Sequence, residues 1–309
     1  MPRLGSHMSI AGGLPLAVDR ARLHGCDALQ IFSKSSSQWR ARPLPPDEIA
    51  AFRLRVAVSG IAPVVAHASY LINLATSDPR LRDRSIASLG EELDRADVLG
   101  LMGVVVHPGC ATGGPEAGAV RLVAQAVGEV LRARPDGRTM VLLEHTAGQG
   151  TSVGWRFEQL AAMLEQVDGH PRVGVCLDTC HLFAAGYDLS TARGYASTFE
   201  GFERLVGLDR LRAIHVNDSK KPLGSRVDRH DHIGHGLIGL DAFRRLLGDQ
   251  RFDDLPMLLE TPKTEGRRAT SVELDPLDVA NLKTLRALIP RTPRPGSAKR
   301  AHRTSTHRA

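Results

Sequence analysis

Residues Leu211–His230 read LRAIHVNDSKKPLGSRVDRH, a short apolar run followed by a polar loop. The run stops at His215, and the loop carries Asp228 and His230. Imidazole and carboxylate groups are the nitrogen and oxygen ligands that zinc and manganese bind in proteins. A strand that ends at such residues predicts a metal site where the strand meets its loop.

The same pattern recurs along the chain, where eight short apolar runs alternate with longer amphipathic stretches. Most of the runs are too short for helices and are rich in Val, Ile and Leu, which is typical of parallel strands buried on both faces. The predicted strands are Arg3–Ser6, Ala28–Phe32, Pro63–Ala66, Gly103–Val106, Thr139–Leu143, Arg172–Leu177, Leu211–Ile214 and Pro256–Leu259.

The stretches between these runs carry helix start and stop signals. The clearest case has Asp78 as N-cap, Pro79 at the first helical position and Gly100 as the stop. The predicted helices are Leu14–His24, Asp47–Ser59, Pro79–Leu99, Glu116–Arg134, Phe157–Val167, Ala192–Val206, Leu240–Leu247 and Pro276–Leu288. Eight strand–helix units predict an α/β fold, a single-domain (β/α)₈ TIM barrel over residues 1–290, with a doubly wound open sheet as the alternative.

Composition and charge narrow the class of protein. The chain has 309 residues, 42% hydrophobic and 24% charged, which is ordinary for a globular protein. No apolar run approaches the roughly 18 residues of a membrane span, and no signal-peptide core is present, so we expect a cytoplasmic protein without membrane contact. The usual nucleotide-binding fingerprints are also missing, so no nucleotide cofactor is expected. Four cysteines are too few for a disulfide scaffold, and we expect Cys176 and Cys180 to be buried, reduced thiols.

The net charge of +6 belongs to the C-terminal segment 291–309. This segment holds six basic residues and no acidic one, so residues 1–290 are formally neutral. It is also rich in Pro, Ser, Thr and Arg, which predicts a disordered basic tail. Such a tail either attracts phosphate non-specifically or has no function.

Metal-ligand residue types stand at the ends of seven of the eight predicted strands. The residues that follow the runs are His7, Ser33-Lys34, His67, His107, Glu144, Asp178, His215 and Glu260. In a barrel of this type the carboxyl ends of the strands converge at one mouth, where active sites are built. Imidazoles and carboxylates crowded there without cations would be poorly satisfied, so the pattern predicts bound metal.

The number of candidate ligands exceeds what one metal needs. The set comprises His67, His107, Glu144, Asp178, His181, His215, Asp228, His230 and Glu260. One tetrahedral site takes three or four ligands, so these nine suffice for two or three metals with one bridging carboxylate. Paired metals are the usual apparatus for in-line displacement at phosphorus. The residues therefore predict a multi-metal hydrolase of phosphate esters.

Longer motifs between residues 5 and 261 resemble the endonuclease IV family, the zinc-dependent abasic-site endonucleases of base-excision repair, of the deoxyribonuclease IV type. The matching stretches are Gly5–Ser9, Gln38–Arg40, Ser69–Asn73, His107–Gly109, Thr146–Gly150, Cys176–His181, Ala184–Asp188, His215–Asp218, Gly224–His230 and Leu259–Thr261. The resemblance implies a monomeric TIM-barrel enzyme acting on double-stranded DNA that contains an abasic site.

The resemblance also implies three zinc ions per chain. His67, His107 and Glu144 would hold the first; Glu144, Asp178, His215 and Glu260 the second; and His181, Asp228 and His230 the third. The family hydrolyses the phosphodiester 5′ to the abasic sugar by zinc-hydroxide attack on phosphorus, leaving a 3′-hydroxyl and a 5′-deoxyribose phosphate. Catalytic roles fall on Glu144, Asp178 and Glu260.

DNA contacts implied by the resemblance fall on Tyr70, Ser37, Gln38, Arg226 and His7. The chain departs from the family at two places. Ser35 and Ser37 stand where an Asn and an Arg are common, and serines cannot wedge a base stack as Arg can. In addition, His235 stands where Glu is usual.

Two other functions stay open at this point. A metal-dependent sugar isomerase or epimerase on the same barrel would need only one or two metals and would leave His181, Asp228 and His230 without a role. A non-catalytic DNA- or metal-binding protein would not require the complete ligand set.

Overall fold

In the computed structural model, which describes residues 1–266 and 270–290, eight parallel strands pair side by side into a closed barrel. The barrel strands are β1 (Arg3–Met8), β2 (Ala28–Phe32), β3 (Val64–His67), β4 (Gly103–Val106), β5 (Met140–Glu144), β6 (Val173–Asp178), β7 (Leu211–His215) and β10 (Pro256–Leu259). Two further short strands, β8 (Asp218–Ser219) and β9 (His230–Asp231), pair antiparallel in the loop after β7. Because β1 pairs with both β2 and β10, the barrel is confirmed and the open sheet is excluded.

The helices follow the predicted pattern with small shifts at their ends. Within the described ranges they are α1 (Leu14–Leu23), α2 (Pro46–Ser59), α3 (Pro79–Leu99), α4 (Glu116–Arg132), α5 (Phe157–Gln166), α6 (Thr179–Ala185), α7 (Ala192–Leu205), α8 (Leu240–Gly248) and α9 (Pro276–Leu288). The predicted caps of α3 are present, since the Asp78 carboxylate accepts from Arg80 N at 2.8 Å and from Leu81 N at 3.0 Å. Gly100 ends the helix in the left-handed conformation.

The short helix α6 was not predicted. It begins directly at the end of β6, where the Asp178 carboxylate accepts from His181 N at 2.9 Å. All but one of its seven residues are buried, so it shows no amphipathic period that could reveal it. Its first turn brings His181 next to the end of β6.

The barrel interior is filled by a small cluster of side chains, separate from the larger core between strands and helices. Its members are Ala28, Val65, Val105, Leu142, Cys176, Ala213 and Leu258, one from each strand except β1. β1 contributes Gly5, which is in register with Ala28 and Leu258. A side chain at Gly5 would begin 2.0 Å from the Ala28 carbonyl oxygen, so the strands approach closely there.

Strand alternation determines what lies above this interior layer. Side chains two residues apart on a strand point to the same face. Two residues after six of the interior residues stand His67, His107, Glu144, Asp178, His215 and Glu260. The layer at the carboxyl end of the barrel interior is therefore built of metal-ligand residue types instead of apolar ones.

Some sequence predictions fall outside this description. The predicted tail at 291–309 lies outside the described residues, and the division of the chain at residue 290 stays a prediction. Among the described residues, no helix is both long enough and apolar enough to cross a membrane.

We predict that Leu142→Ala lowers the free energy of unfolding by about 2–5 kcal/mol, because it removes buried methyl groups from a closed interior that cannot collapse. Leu142 is fully buried there. The matched control is Leu54→Ala on α2, where the side chain is 64% exposed and the change should stay within about 0.5 kcal/mol. Urea unfolding measures both, and equal losses would contradict the assignment of Leu142 to the barrel interior.

Candidate metal centre

The predicted ligands come together at the carboxyl end of the barrel. Within each of three groups, one ligand atom from every residue lies within 4.8 Å of the others. The groups are His67, His107 and Glu144; Glu144, Asp178, His215 and Glu260; and Asp178, His181 and His230. Asp228 joins the third group, since its carboxylate lies 3.2 Å from Nε2 of both His181 and His230. All nine predicted ligands therefore converge.

The Glu144 carboxylate lies between the first two groups. Its Oε2 is 3.1 Å from His67 Nε2 and 3.0 Å from His107 Nε2. Its Oε1 is 3.0 Å from His215 Nδ1. Each oxygen thus faces a different group, which is the placement that a carboxylate bridging two metals requires.

Backbone carbonyls fix the orientation of three imidazoles. In each ring Nδ1 lies at hydrogen-bonding distance from a carbonyl oxygen, which can only accept, so Nδ1 carries a proton and Nε2 carries the lone pair of the neutral ring. The pairs are His67 with Ala68 O at 2.8 Å, His181 with His145 O at 2.8 Å and His230 with Glu260 O at 3.2 Å. This second hydrogen bond is typical of histidines that ligate metals.

The donor set fits a metal cation. In His67 and His181 the second ring nitrogen, Nε2, faces a carboxylate oxygen, a place that a proton or a metal cation would fill. The buried Nε2 of His230 has no hydrogen-bond partner among the described residues. Divalent cations bound between such groups would satisfy them, and nitrogen with carboxylate oxygen is the ligand chemistry of zinc.

The carboxylates have the charge state that ligands need. Burial alone would raise the pKa of Glu144, but His107 and His215 hold that pKa well below its usual range. Burial also acts on Glu260, whose pKa is nevertheless lowered well below its usual range, chiefly by His215 and His7. Both groups are therefore ionised at neutral pH, as metal ligands must be.

Gln30 supports this centre and was missed in the sequence. Its Oε1 lies 2.8 Å from His215 Nε2, and its Nε2 donates to Glu260 Oε1 at 2.5 Å. The amide oxygen thus accepts a hydrogen bond from His215 Nε2–H, and in the neutral ring the Nδ1 lone pair then faces Glu144. Gln30 is fully buried, and the only signal in the sequence was one polar residue within the apolar run of β2.

Asn217 supports the second group in the same way. Its Nδ2 donates to Asp178 Oδ2 at 2.7 Å, while its Oδ1 accepts from the Glu260 backbone N at 2.8 Å. The side chain is fully buried. It therefore holds two candidate ligands in place from the turn after β7.

Cys180 also lies close to the third group, since its Sγ is within 4.8 Å of ligand atoms of Asp228 and His230. Only a thiolate binds metal well. Burial, followed by the nearby Asp178 charge, raises the pKa of this thiol far above its ordinary value. Cys180 is a buried free thiol that packs beside the centre, in line with the prediction of buried, reduced Cys176 and Cys180.

The predicted DNA-contact residues lie around the mouth. The Tyr70 side chain is 61% exposed, with its ring centroid 5.3 Å from that of His67. Ser37 and Gln38 are exposed in the loop after β2. His7 lies 3.5 Å from Glu260 Oε1 and does not join any of the metal groups. A cavity of about 400 Å³ beside the centre is lined by Tyr70, His107, Cys110, Gln149, His181 and Asp228, among others.

The loops after β2 and β3 form one unit. Ser69 Oγ, next to Tyr70, donates to Ser36 O at 2.7 Å. Beneath them the buried Glu92 accepts from Ser69 N at 2.8 Å and from Ser33 Oγ at 3.1 Å. Burial raises the pKa of Glu92 despite these donors. Glu92 was not predicted, because a single Glu on an amphipathic helix gives no signal.

The two departures from the family pattern take different positions. Ser35 and Ser37 are exposed, and their hydroxyls lie 3.3 Å apart, so they bond to each other. His235 is exposed in the loop before α8. Its ring is 6.0 Å from that of His232, and it belongs to none of the metal groups formed by the described residues.

Comparisons with known proteins give relatives over most of the chain. A family model described as a xylose isomerase-like TIM barrel matches residues 18–283. A probable endonuclease 4 of Chloroflexus aurantiacus is 51% identical over 290 residues, 94% of this chain and 99% of that protein. One from Geobacter sulfurreducens is 46% identical over 288 residues, 93% of this chain and 95% of that protein.

Among the solved structures, an endonuclease resembles this chain more than an epimerase does. The crystal structure of endonuclease IV from Thermus thermophilus has a TM-score of 0.81 and 40% identity, covering 93% of this chain and 98% of that one. An L-ribulose 3-epimerase has a TM-score of 0.66 with 18% identity over 93% of both chains, and so shares the fold alone.

We predict that Gln30→Ala weakens metal retention about 10–100-fold, the usual cost of removing a group that orients a ligand. The change leaves His215 Nε2 without its partner. Metal content after dialysis against a chelator measures it, and Gln38→Ala, on the exposed loop, is the control. Unchanged retention in Gln30→Ala would show that the amide does not orient His215.

Proposed function

The chain belongs to the endonuclease IV family, and from that premise we propose that it is a DNA-repair enzyme that hydrolyses the phosphodiester on the 5′ side of an abasic site. The observation that carries the proposal is the convergence of nine imidazole and carboxylate ligands in a mouth rimmed by an exposed tyrosine. The products would be a 3′-hydroxyl and a 5′-deoxyribose phosphate.

The third ligand group favours this function over sugar isomerisation. His181, Asp228 and His230 lie beside the first two groups, and an isomerase with one or two metals would leave them without use. The relatives at 46–51% identity are named as endonucleases, whereas the epimerase structure shares 18% identity. The presence of Glu144, the carboxylate placed to bridge two metals, also argues against a binding protein without catalysis.

We propose that the metals are three zinc ions, held by the groups defined above, with Asp178 ligating in the second group and His181, Asp228 and His230 holding the third. When bound, the cations would supply charge opposite the phosphate oxygens and lower the pKa of water toward neutrality, so no separate strong base would be needed. Nitrogen and oxygen ligands with fixed tautomers support zinc as the metal.

The residues of the chain would do the positioning. Glu144 would keep two sites at a fixed separation, because its two oxygens face different histidine sets. Asp178 and Glu260 would complete the second site, both held by Asn217. His7 would pack against the Glu260 carboxylate and limit its movement.

The rim would bind double-stranded DNA. Tyr70 stands next to the centre and is exposed enough to fill a gap in a base stack. Ser37, Gln38 and Arg226 are exposed around the mouth and would contact phosphates. Because one chain supplies the whole ligand set, we further propose that the protein acts as a monomer. We also propose that it acts in the cytoplasm.

We predict that Glu144→Ala lowers cleavage of a duplex carrying one tetrahydrofuran abasic analogue by at least about a hundredfold, since a first ligand should matter more than a ligand-orienting group. The analogue cannot undergo β-elimination, so a cut 5′ to it reports hydrolysis. Glu129→Ala on the outer surface is the control. Parent protein should lose activity on prolonged chelation and regain it with zinc; normal turnover by Glu144→Ala would refute the proposal.

We predict that Ser37→Arg tightens binding to abasic duplex roughly tenfold, the equivalent of about 1.4 kcal/mol. The guanidinium would reach the base stack from a loop that Ser69 and Glu92 hold in place. Leu54→Arg adds the same charge at an exposed position of helix α2, outside the loop after β2, and controls for non-specific attraction. Dissociation constants at fixed salt measure both, and equal effects would count against the loop.

A further inference from the structure

The loop that carries Asp228 and His230 rests on a tryptophan. The Arg226 guanidinium lies over the Trp155 ring, with Cζ 3.9 Å from the ring centroid. A guanidinium at this distance from an indole face is held by cation–π attraction and by stacking. Two residues after Arg226 in the chain comes Asp228, and four residues after it comes His230.

Hydrogen bonds from Trp155 to neighbouring side chains hold the indole in place. Trp155 Nε1 donates to Glu116 Oε1 at 2.9 Å, and Trp155 N donates to Gln159 Oε1 at 3.1 Å. A side chain at Gly148 would begin 2.9 Å from Trp155 Cγ, so only glycine leaves room for the ring there. The ring therefore offers a rigid face.

The loop is held by backbone hydrogen bonds and, at the His230 ring, by the carbonyl oxygen of Glu260. Arg226 N donates to Ala184 O at 2.9 Å, and Asp228 N lies 3.3 Å from Gln149 Oε1. Arg226 has a φ of 54°, a left-handed conformation that is unfavourable for a residue with a side chain. Such a conformation persists where surrounding contacts require it. The stack on Trp155 is the side-chain contact available to do so.

We propose that the stack of Arg226 on Trp155, here called the latch, positions Asp228 and His230. Trp155 and Arg226 are then positioning residues for the third metal. This inference rests on the proposed metal centre. It gives Arg226 a role that DNA contact alone does not, because a phosphate contact needs only an exposed positive charge. The latch needs a flat guanidinium on a flat ring.

Two substitutions separate the latch from a phosphate contact. Arg226→Lys keeps the charge but cannot stack in the same way, and Trp155→Leu removes the aromatic face while leaving Arg226 in place. Trp155→Phe keeps a flat face and should behave like the parent. Lys221→Ala, an exposed cation of the same loop, controls for loss of charge.

The measurement is the metal content of zinc-loaded full-length protein during dialysis against a chelator, without DNA. We expect Arg226→Lys and Trp155→Leu to lose about one equivalent roughly 10–100-fold faster than the parent, the usual effect of removing a ligand-orienting contact. The double variant should lose it no faster than either single variant, because both break one contact. Thermal melting checks folding, and if Trp155→Leu unfolds, the exposed Arg226→Lys decides.

The latch is overturned if Arg226→Lys retains metal as Lys221→Ala does. In that case Arg226→Ala should only lower the slope of log binding constant against log salt by about one, which is the signature of a phosphate contact. The proposed function fails separately, if the zinc-loaded parent does not cut the abasic duplex. Metal loss measured without DNA still decides the latch.

Discussion

Six of the nine candidate ligands come together because side chains alternate along parallel strands that close into a barrel. In each strand the residue that fills the barrel interior is followed two positions later by a residue on the same face. In six strands of this barrel that residue is an imidazole or a carboxylate, for example Glu144 above Leu142. Closure then brings the six groups within reach of one another without any loop having to fold over them.

This arrangement concentrates charge on largely buried side chains, and the structure compensates for it locally. The buried imidazoles of His67 and His181 donate a hydrogen bond to a backbone carbonyl, and that of His215 donates to Gln30. The carboxylates are ionised because the imidazoles surround them. A half-satisfied polar network would be destabilising, so the supporting amides matter as much as the ligands.

The sequence predicted the barrel and the residues that converge at its mouth because both follow from short-range patterns. Apolar runs gave the strands, and the residue types at their ends gave the ligands, although His67, Glu144 and His215 prove to be the last residues of their strands. Gln30 and Asn217 were missed, since one buried amide differs from an exposed one only through contacts more than 30 residues away. The contact between Trp155 and Arg226 is likewise long-range.

The third ligand group is built differently from the first two. His67, Glu144 and His215 are held by ladder hydrogen bonds of the barrel, whereas Asp228 lies in the loop after β7 and His230 begins the two-residue strand β9 within that loop. A loop has more conformations to lose than a strand, so its ligands need added contacts to stay in place. Epimerases with the same barrel and little sequence identity show that the scaffold by itself does not dictate the chemistry.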